Sequence, residues 1–524
     1  MISKVFWLNG QNDESVIHHW SPRISDDKKV FCMKAENKRK DRSFLEDIAH
    51  RTMITYGLVP DFSKAVLDEL DTIKGPAKAA SVPGLIDLCD LLWCSLDNDD
   101  SRDLDQLTAV KPLENGLGKV LVAIADVDAV VKKQSAIDLH AQQNTTSVYT
   151  VPKVFSMLPE KLSTDITSLN FGDDRLAVII EMDIAKDGSV SNSSVYEALV
   201  RNKAKLAYSS VAAWLEKKGP MPEEIASVPG MAESLLLQDM IAQKMKMLRH
   251  IHGALVLETI EAKPVFSGDD LTNLVPESRN RAKEIVEDFM IAANGTTSRY
   301  LIKKGYPSLR RIVVAPQRWD RIMTIASEHG TKLPEKPDSL ALENFLISSQ
   351  KEHPLQFPDI SLSIIKLMGA GEYVVQGPDT KDEGHFGLAV KNYTHSTAPN
   401  RRYPDLITQR LLKAAIEGKP SPYTNEELGS LAKHCNVAES AANKVERLLV
   451  KSAAAIFLAS RIGEQFTAIV TGAASKGTWV RILEPPLEGR LMSGFEKLDV
   501  GDTLRVQLVH TDAERGYIDF KKVD

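Results

Sequence analysis

Cysteine is scarce in this chain: there are four in 524 residues, at positions 32, 89, 94 and 435. That count excludes a disulfide framework, and no Cys-x-x-Cys pair offers the spacing of a structural zinc site, so a reducing, cytoplasmic setting is expected. Positive charge is not in surplus either. Lysine and arginine number 65 against 71 acidic residues, a net charge of −6. A nucleic-acid partner therefore cannot be held by global charge and needs a local basic groove and bound metal. No run of about 18 apolar residues occurs, and the N-terminus lacks an apolar stretch of signal-peptide length, so neither membrane insertion nor export is expected. Internal repeats and low-complexity tracts are absent as well. What remains, 43% hydrophobic and 26% charged residues, is an ordinary globular balance, and the length admits two to four domains or one large domain with small attachments.

Residues 1–57 read as a lead-in, polar and irregular with a basic knot at Lys38-Arg39-Lys40, then helical from near Ser43. From Lys119 to about Asn400 the chain reads as one large mixed α/β domain, the centre of a longer segment, 58–460. In it, β-branched runs (Val120–Ala125, Leu176–Met182, Arg311–Val314) alternate with long helical patterns (Glu233–His252, Ser278–Lys303, Tyr403–Glu417, Ala438–Arg461). The last segment, 462–524, changes character. Five short alternating strands separated by glycine turns predict an OB-type barrel.

Two constellations carry chemistry. The stretch Asp97-Asn98-Asp99-Asp100-Ser101-Arg102-Asp103-Leu104-Asp105-Gln106 puts five carboxylates in nine residues, directly after the apolar run that ends at Leu96. Such a run is commonly a solvated loop; wedged between hydrophobic segments, it lies near the core, where like charges repel unless a cation sits among them. A calcium loop of the EF-hand kind fails the count from Asp97: Arg102 stands where glycine is needed and Thr108 where a bidentate glutamate is needed. Hard oxygen ligands outside that cage suit magnesium or manganese and metal-assisted phosphoryl transfer. The second constellation is His385-Phe386-Gly387-Leu388 followed by Tyr393 to Leu406, with Arg401-Arg402 just before a helix. Adjacent arginines are often plain surface charge, yet a guanidinium fork beside a helix N-terminus also suits phosphate oxygens.

Together these stretches resemble the ribonuclease II family, the RNB-domain exoribonucleases. That family's acidic signature runs Asp, five residues, Asp-x-Asp-Asp, and its basic signature Ser-Pro-x-Arg-Arg-Tyr-x-Asp. Ile124-Ala125-Asp126-Val127, Thr146 to Tyr149, Met157-Leu158-Pro159 and Val286 to Asn294 fall in the family's order, and the closing barrel is similar to its C-terminal RNA-binding OB-fold. The resemblance implies a magnesium-dependent (manganese is the other candidate) 3′-to-5′ exoribonuclease that degrades single-stranded RNA processively to nucleoside 5′-monophosphates and a short end product. By resemblance, Asp97, Asp103, Asp105 and Gln106 occupy the metal positions. Asp105 and Arg401 are the central catalytic residues, Arg402 stands behind Arg401, Glu446 matches a supporting glutamate or is an exposed helix charge, and Tyr149 stacks on the terminal base or packs in the core. In the barrel, Trp479, Lys476 and Arg481, on or beside one predicted strand, are the expected RNA contacts, unless Trp479 is core.

Three departures stand out. Gln106 replaces the fourth carboxylate, Leu257 stands where relatives carry a clamp phenylalanine, and too few residues precede the resemblance for a pair of cold-shock barrels. A cytoplasmic monomer without membrane contact is expected. Gln106 leaves a second reading, a non-catalytic RNA-binding protein with a decayed metal site, and the residue types alone also admit a third, a DNA-directed nuclease.

Overall fold

The computed structural model describes residues 41–523 except 83, 259–260, 278, 355, 378–383 and 476. The basic knot at 38–40, Cys32 and Lys476 lie outside the described residues. Two strands show why the centre forms where it does. Strand β4 (Gly118–Ala125) and β7 (Asp174–Ile184) are nearly continuous apolar runs, and they pair in antiparallel register, Val120 opposite Met182 and Ala123 opposite Ile179. Because side chains alternate across a strand, Val120, Val122 and Ile124 face one core and Leu121, Ala123 and Ala125 the other. A strand buried on both faces is what a central position requires.

The seven-stranded sheet has the order β1-β8-β7-β4-β3-β2-β9, with β1 Ile86–Asp87, β2 Cys94–Asp97, β3 Gln106–Lys111, β8 Val190–Arg201 and β9 Ala204–Ala207. It is mixed: β1 with β8 and β2 with β9 are parallel, the other neighbours antiparallel. Helices Met231–Ile251 and Arg281–Lys303 cover the first face, contributing Leu235, Ile241, Ile285 and Phe289. Helix Tyr403–Glu417 covers the second with Leu406, Ile407 and Leu411. Its start is set by Pro404 in the first turn, where a missing N–H costs nothing, and its end by Gly418 in the left-handed region.

The final helix is longer than its periodicity suggests. It runs Asn425–Leu458, begun by a capping box in which Thr424 accepts from the Glu427 N–H and Glu427 reaches back to the Thr424 N–H. Strand β12 falls at Ser308–Ile312, slightly earlier than expected, paired with β13 (Glu372–Gln376). Between them helices Trp319–Glu328, Ser339–Glu352 and Phe357–Leu367 build a third core. A hairpin, β10 (Glu261–Ser267) with β11 (Asp270–Glu277), and a smaller one, β5 (Val148–Tyr149) with β6 (Val154–Phe155), complete the large domain.

The expected C-terminal barrel is present and closed: β14 Gln465–Ala474, β15 Gly477–Ile482, β16 Leu487–Ser493, β17 Thr503–Asp512 and β18 Tyr517–Lys522, in the order β14-β15-β16-β18-β17. Glycine at 489 is dictated by closure, since a Cβ there would run into the Ile518 carbonyl and the Phe520 ring. The barrel is seated on the large domain. Val500 is buried among the helices of the third core, Arg321 donates to the Val500 carbonyl at 2.8 Å and to Asp502 at 3.0 Å, and Glu488 meets Lys366 at 2.8 Å. No helix among the described residues is long and apolar enough to cross a membrane.

Candidate nuclease site

Strand β2 ends at Asp97 and β3 begins at Gln106, so the acidic stretch is the connection between two sheet strands. Its shape is fixed from both ends. Asp97 Oδ1 accepts the Asn98 N–H at 2.8 Å and the Ser101 hydroxyl at 2.9 Å, while Ser168 accepts the Leu104 N–H and donates to the Arg102 carbonyl. This tethering turns Asp105 inward, to 1% exposure.

Asp105 is met there by the arginine loop. Its Oδ1 accepts the Asn400 N–H at 2.9 Å and its Oδ2 pairs with Arg401 Nε at 2.9 Å. Burial, opposed by Arg401 and reinforced by Asp103, pushes the Asp105 carboxyl up to about 7. Asp103 is raised for the same reason, with Asp97 adding to the effect. Burial works against the charge of Arg401, but the phenol of Tyr149 and the carboxylates of Asp105, Asp97 and Asp103 outweigh it and raise its pKa. Three carboxylates of one loop and a guanidinium about 300 residues away in sequence thus share a single electrostatic site.

Arg402 is placed differently. Its fork is taken by Asp405, Nε to Oδ2 at 2.8 Å and Nη2 to Oδ1 at 2.7 Å, and Asp405 also accepts the Ala398 N–H. The pair braces the turn that presents Arg401. Glu446 is not a free helix charge: its Oε1 accepts the Tyr149 N–H at 2.7 Å. Tyr149 is half-buried with its hydroxyl 3.5 Å from Asp103 Oδ2, so it borders the acidic site instead of filling a core. Gln106 is buried at the start of β3.

Sequence reasoning missed Tyr208, the first residue of a helix directly after β9. Ala207 pairs with Asp97 across β2 and β9, which sets Tyr208 beside the acidic stretch, where burial, then Asp97, raises its phenol and Arg401 opposes them. It also missed Asn400 and Asp405, although both lie inside the quoted arginine stretch. Leu257 is packed in the third core and lines a cleft with Arg249, His250, Glu287 and Asp288. Trp479 and Arg481 stand in the separate C-terminal barrel, on the less buried side of β15, alternating with buried Thr478 and Val480.

Among the described residues no three His, Cys, Asp or Glu side chains form a ready metal cage. The donor chemistry nevertheless fits a hard dication. Asp97, Asp103 and Asp105 repel one another, a single guanidinium offsets only part of that charge, and the amide oxygen of Gln106 is a further hard donor at the next position.

The RNB domain family matches residues 85–418, and the RNase II-type exonuclease C-terminal S1 domain matches 464–523. Ribonuclease R of Thermotoga maritima is 31% identical over 500 residues, covering 88% of this chain and 68% of that protein. Across its curated relatives the chain spans about half to two thirds of their length. Mycoplasma genitalium RNase R, solved with ribose-methylated single-stranded RNA, superposes with a TM-score of 0.81 at 23% identity, covering 92% of this chain and 78% of that one. Yeast Ssd1, a pseudonuclease, shares the fold with a TM-score of 0.63 at 18% identity over 84% of this chain and 53% of its own. On the domain match, the relatives and the geometry together, the chain belongs to the RNB-domain, ribonuclease II-type family.

Proposed function

We propose that this chain is a hydrolytic exoribonuclease that shortens single-stranded RNA processively from the 3′ end, releasing nucleoside 5′-monophosphates until a short oligonucleotide dissociates. The observation that carries the reading is the contact between Arg401 and the buried Asp105, which joins a phosphate-gripping group to a carboxylate cluster suited to a divalent cation. The relatives named Ribonuclease R, and the related structure bound to RNA, support the substrate class. Activity resides in the site and not in the fold, which a pseudonuclease shares, and the site residues support a nuclease.

Asp97, Asp103 and Asp105, with the amide oxygen of Gln106, would hold magnesium, with manganese as substitute. When bound, the ion supplies Lewis-acid polarisation of the phosphate and a more acidic water. Arg401 holds oxygens of the terminal phosphodiester and offsets the charge that grows on them as water attacks in line and the P–O3′ bond breaks. Arg402 acts through Asp405 by bracing the loop, and Glu446 acts through the Tyr149 N–H. Tyr149 offers a face for the terminal base, and Trp479, Lys476 and Arg481 offer stacking and phosphate contacts in the barrel. Only the 2′-hydroxyl distinguishes RNA from DNA at each step. The reading carries a cytoplasmic monomer with it. Incubation of the pure protein with end-labelled single-stranded RNA, with magnesium or with chelator, tests it: a mononucleotide ladder only with metal supports it. Bound but intact RNA under both conditions would instead support a non-catalytic binder.

A further inference from the structure

Tyr149 stands on a hairpin of two two-residue strands, which is too small to hold its own position. Its place is imposed by three neighbours. On one side the preceding residues are zipped to the arginine loop: the Tyr403 N–H donates to the Thr145 carbonyl at 2.8 Å and the Ser147 N–H to the Arg401 carbonyl at 2.9 Å. On the second, Glu446 takes the Tyr149 N–H. The third neighbour is the helix Asp41–Thr55 and the turn that follows it. Asn144, at the end of the helix that leads into the hairpin, grips Val59 twice, accepting its N–H and donating to its carbonyl, each at 2.8 Å. Ile48 and Met53, 2% and 0% exposed, share one apolar cluster with Val148 and Phe155, which pair across the hairpin, and with Val445, which precedes Glu446.

We propose that the Asp41–Val59 segment is a positioning element for the Tyr149 base platform, and that it thereby sets the shortest RNA the chain retains. The segment touches no reacting atom. It works through the packing of Val148 and Phe155 and through Asn144, so its effect falls on grip at the terminal nucleotide. The inference rests on Tyr149 being a stacking residue.

The test uses the full chain and 5′-labelled oligoadenylate, with binding measured in chelator and the product ladder in magnesium. Ile48→Ala is expected to weaken binding of a short oligomer by about fivefold, the low end of a lost stack, and to lengthen the smallest product. Initial rate on a long RNA should stay within about twofold, because many other contacts remain. Ile48→Val should restore most of the loss. Added to Tyr149→Ala, Ile48→Ala should lengthen the product no further, since both act on one contact. If Ile48→Ala fails to fold, Phe44→Leu in the same cluster serves with the same expectations. A wild-type ladder and affinity in the helix variants, beside a lengthened ladder in Tyr149→Ala, would overturn this inference alone; additive lengthening in the double variant would overturn it as well. An unchanged ladder in Tyr149→Ala would instead remove the stacking role on which it rests.

Discussion

Replacing Tyr149 by alanine should lengthen the end product by about one to two nucleotides without abolishing cleavage. Alanine keeps the backbone N–H that Glu446 accepts and the bonds that join residues 145–147 to the arginine loop, so the catalytic geometry survives and only the ring and hydroxyl go. A stacked base contributes about 1–3 kcal/mol by alanine substitution. On a long RNA that loss is spread over many contacts and hardly changes the rate. As the RNA shortens, each remaining nucleotide carries a free energy of similar size, so losing one stack is equivalent to losing about one or two nucleotides of substrate. Dissociation then overtakes hydrolysis that much earlier. A sequencing gel of 5′-labelled RNA reads the shift directly. Identical terminal fragments for variant and wild type would refute the reasoning and make Tyr149 a packing residue.

Other substitutions probe the remaining contacts. Arg401→Ala should lower turnover by about two orders of magnitude or more, the scale of a lost charge-stabilising donor, and should lower RNA affinity little; equal losses in both, measured by single-turnover kinetics and equilibrium binding, would make Arg401 a binding residue. Trp479→Ala should weaken binding of longer RNA by about 1–3 kcal/mol while leaving the end product unchanged, and unaltered affinity would assign the ring a structural role. Removing residues 462–524 whole would also strip Val500 from the third core, so truncation should lower the melting temperature as well as affinity. Lys366, then Lys451, hold Glu488 below its ordinary range against the opposing effect of burial. A depressed carboxyl stabilises above the unfolded value and loses that contribution as pH falls below it. Glu488→Gln should therefore cost about 1–3 kcal/mol at neutral pH, discounted for partial exposure. The difference from wild type should shrink on acidification below about pH 4; a constant difference in unfolding scans from pH 7 downward would contradict the ion-pair account.

The two central strands, the arginine helix and the closing barrel were legible because their signals are local: β-branched runs, a proline at a helix start, glycines between alternating strands. Strand β8 was not, because Ser191, Asn192, Ser193 and Ser194 are solvent-facing and carry no apolar alternation. The start of the last helix was missed although the capping box at Thr424 and Glu427 was readable. The three helices of the third core also went unread; Asp338 caps one of them, accepting the Ala341 N–H, a signal that was present. At the site, the acidic and arginine residues stand in motifs and could be named. What no spacing could give was their pairing across about 300 residues, Asp105 with Arg401 and Tyr149 with Glu446, since such contacts exist only once the sheet and its covering helices have packed. Tyr208 carried no signal at all, because its place depends on β9 lying beside β2.

The most direct test is Asp105→Asn. The substitution keeps the shape of the most buried member of the acidic site and removes its charge, which should abolish magnesium-dependent cleavage of 5′-labelled single-stranded RNA while leaving equilibrium RNA binding within about threefold of wild type, the contacts proposed for Tyr149 and the barrel being untouched. Near-normal turnover in that variant would contradict the account at its centre.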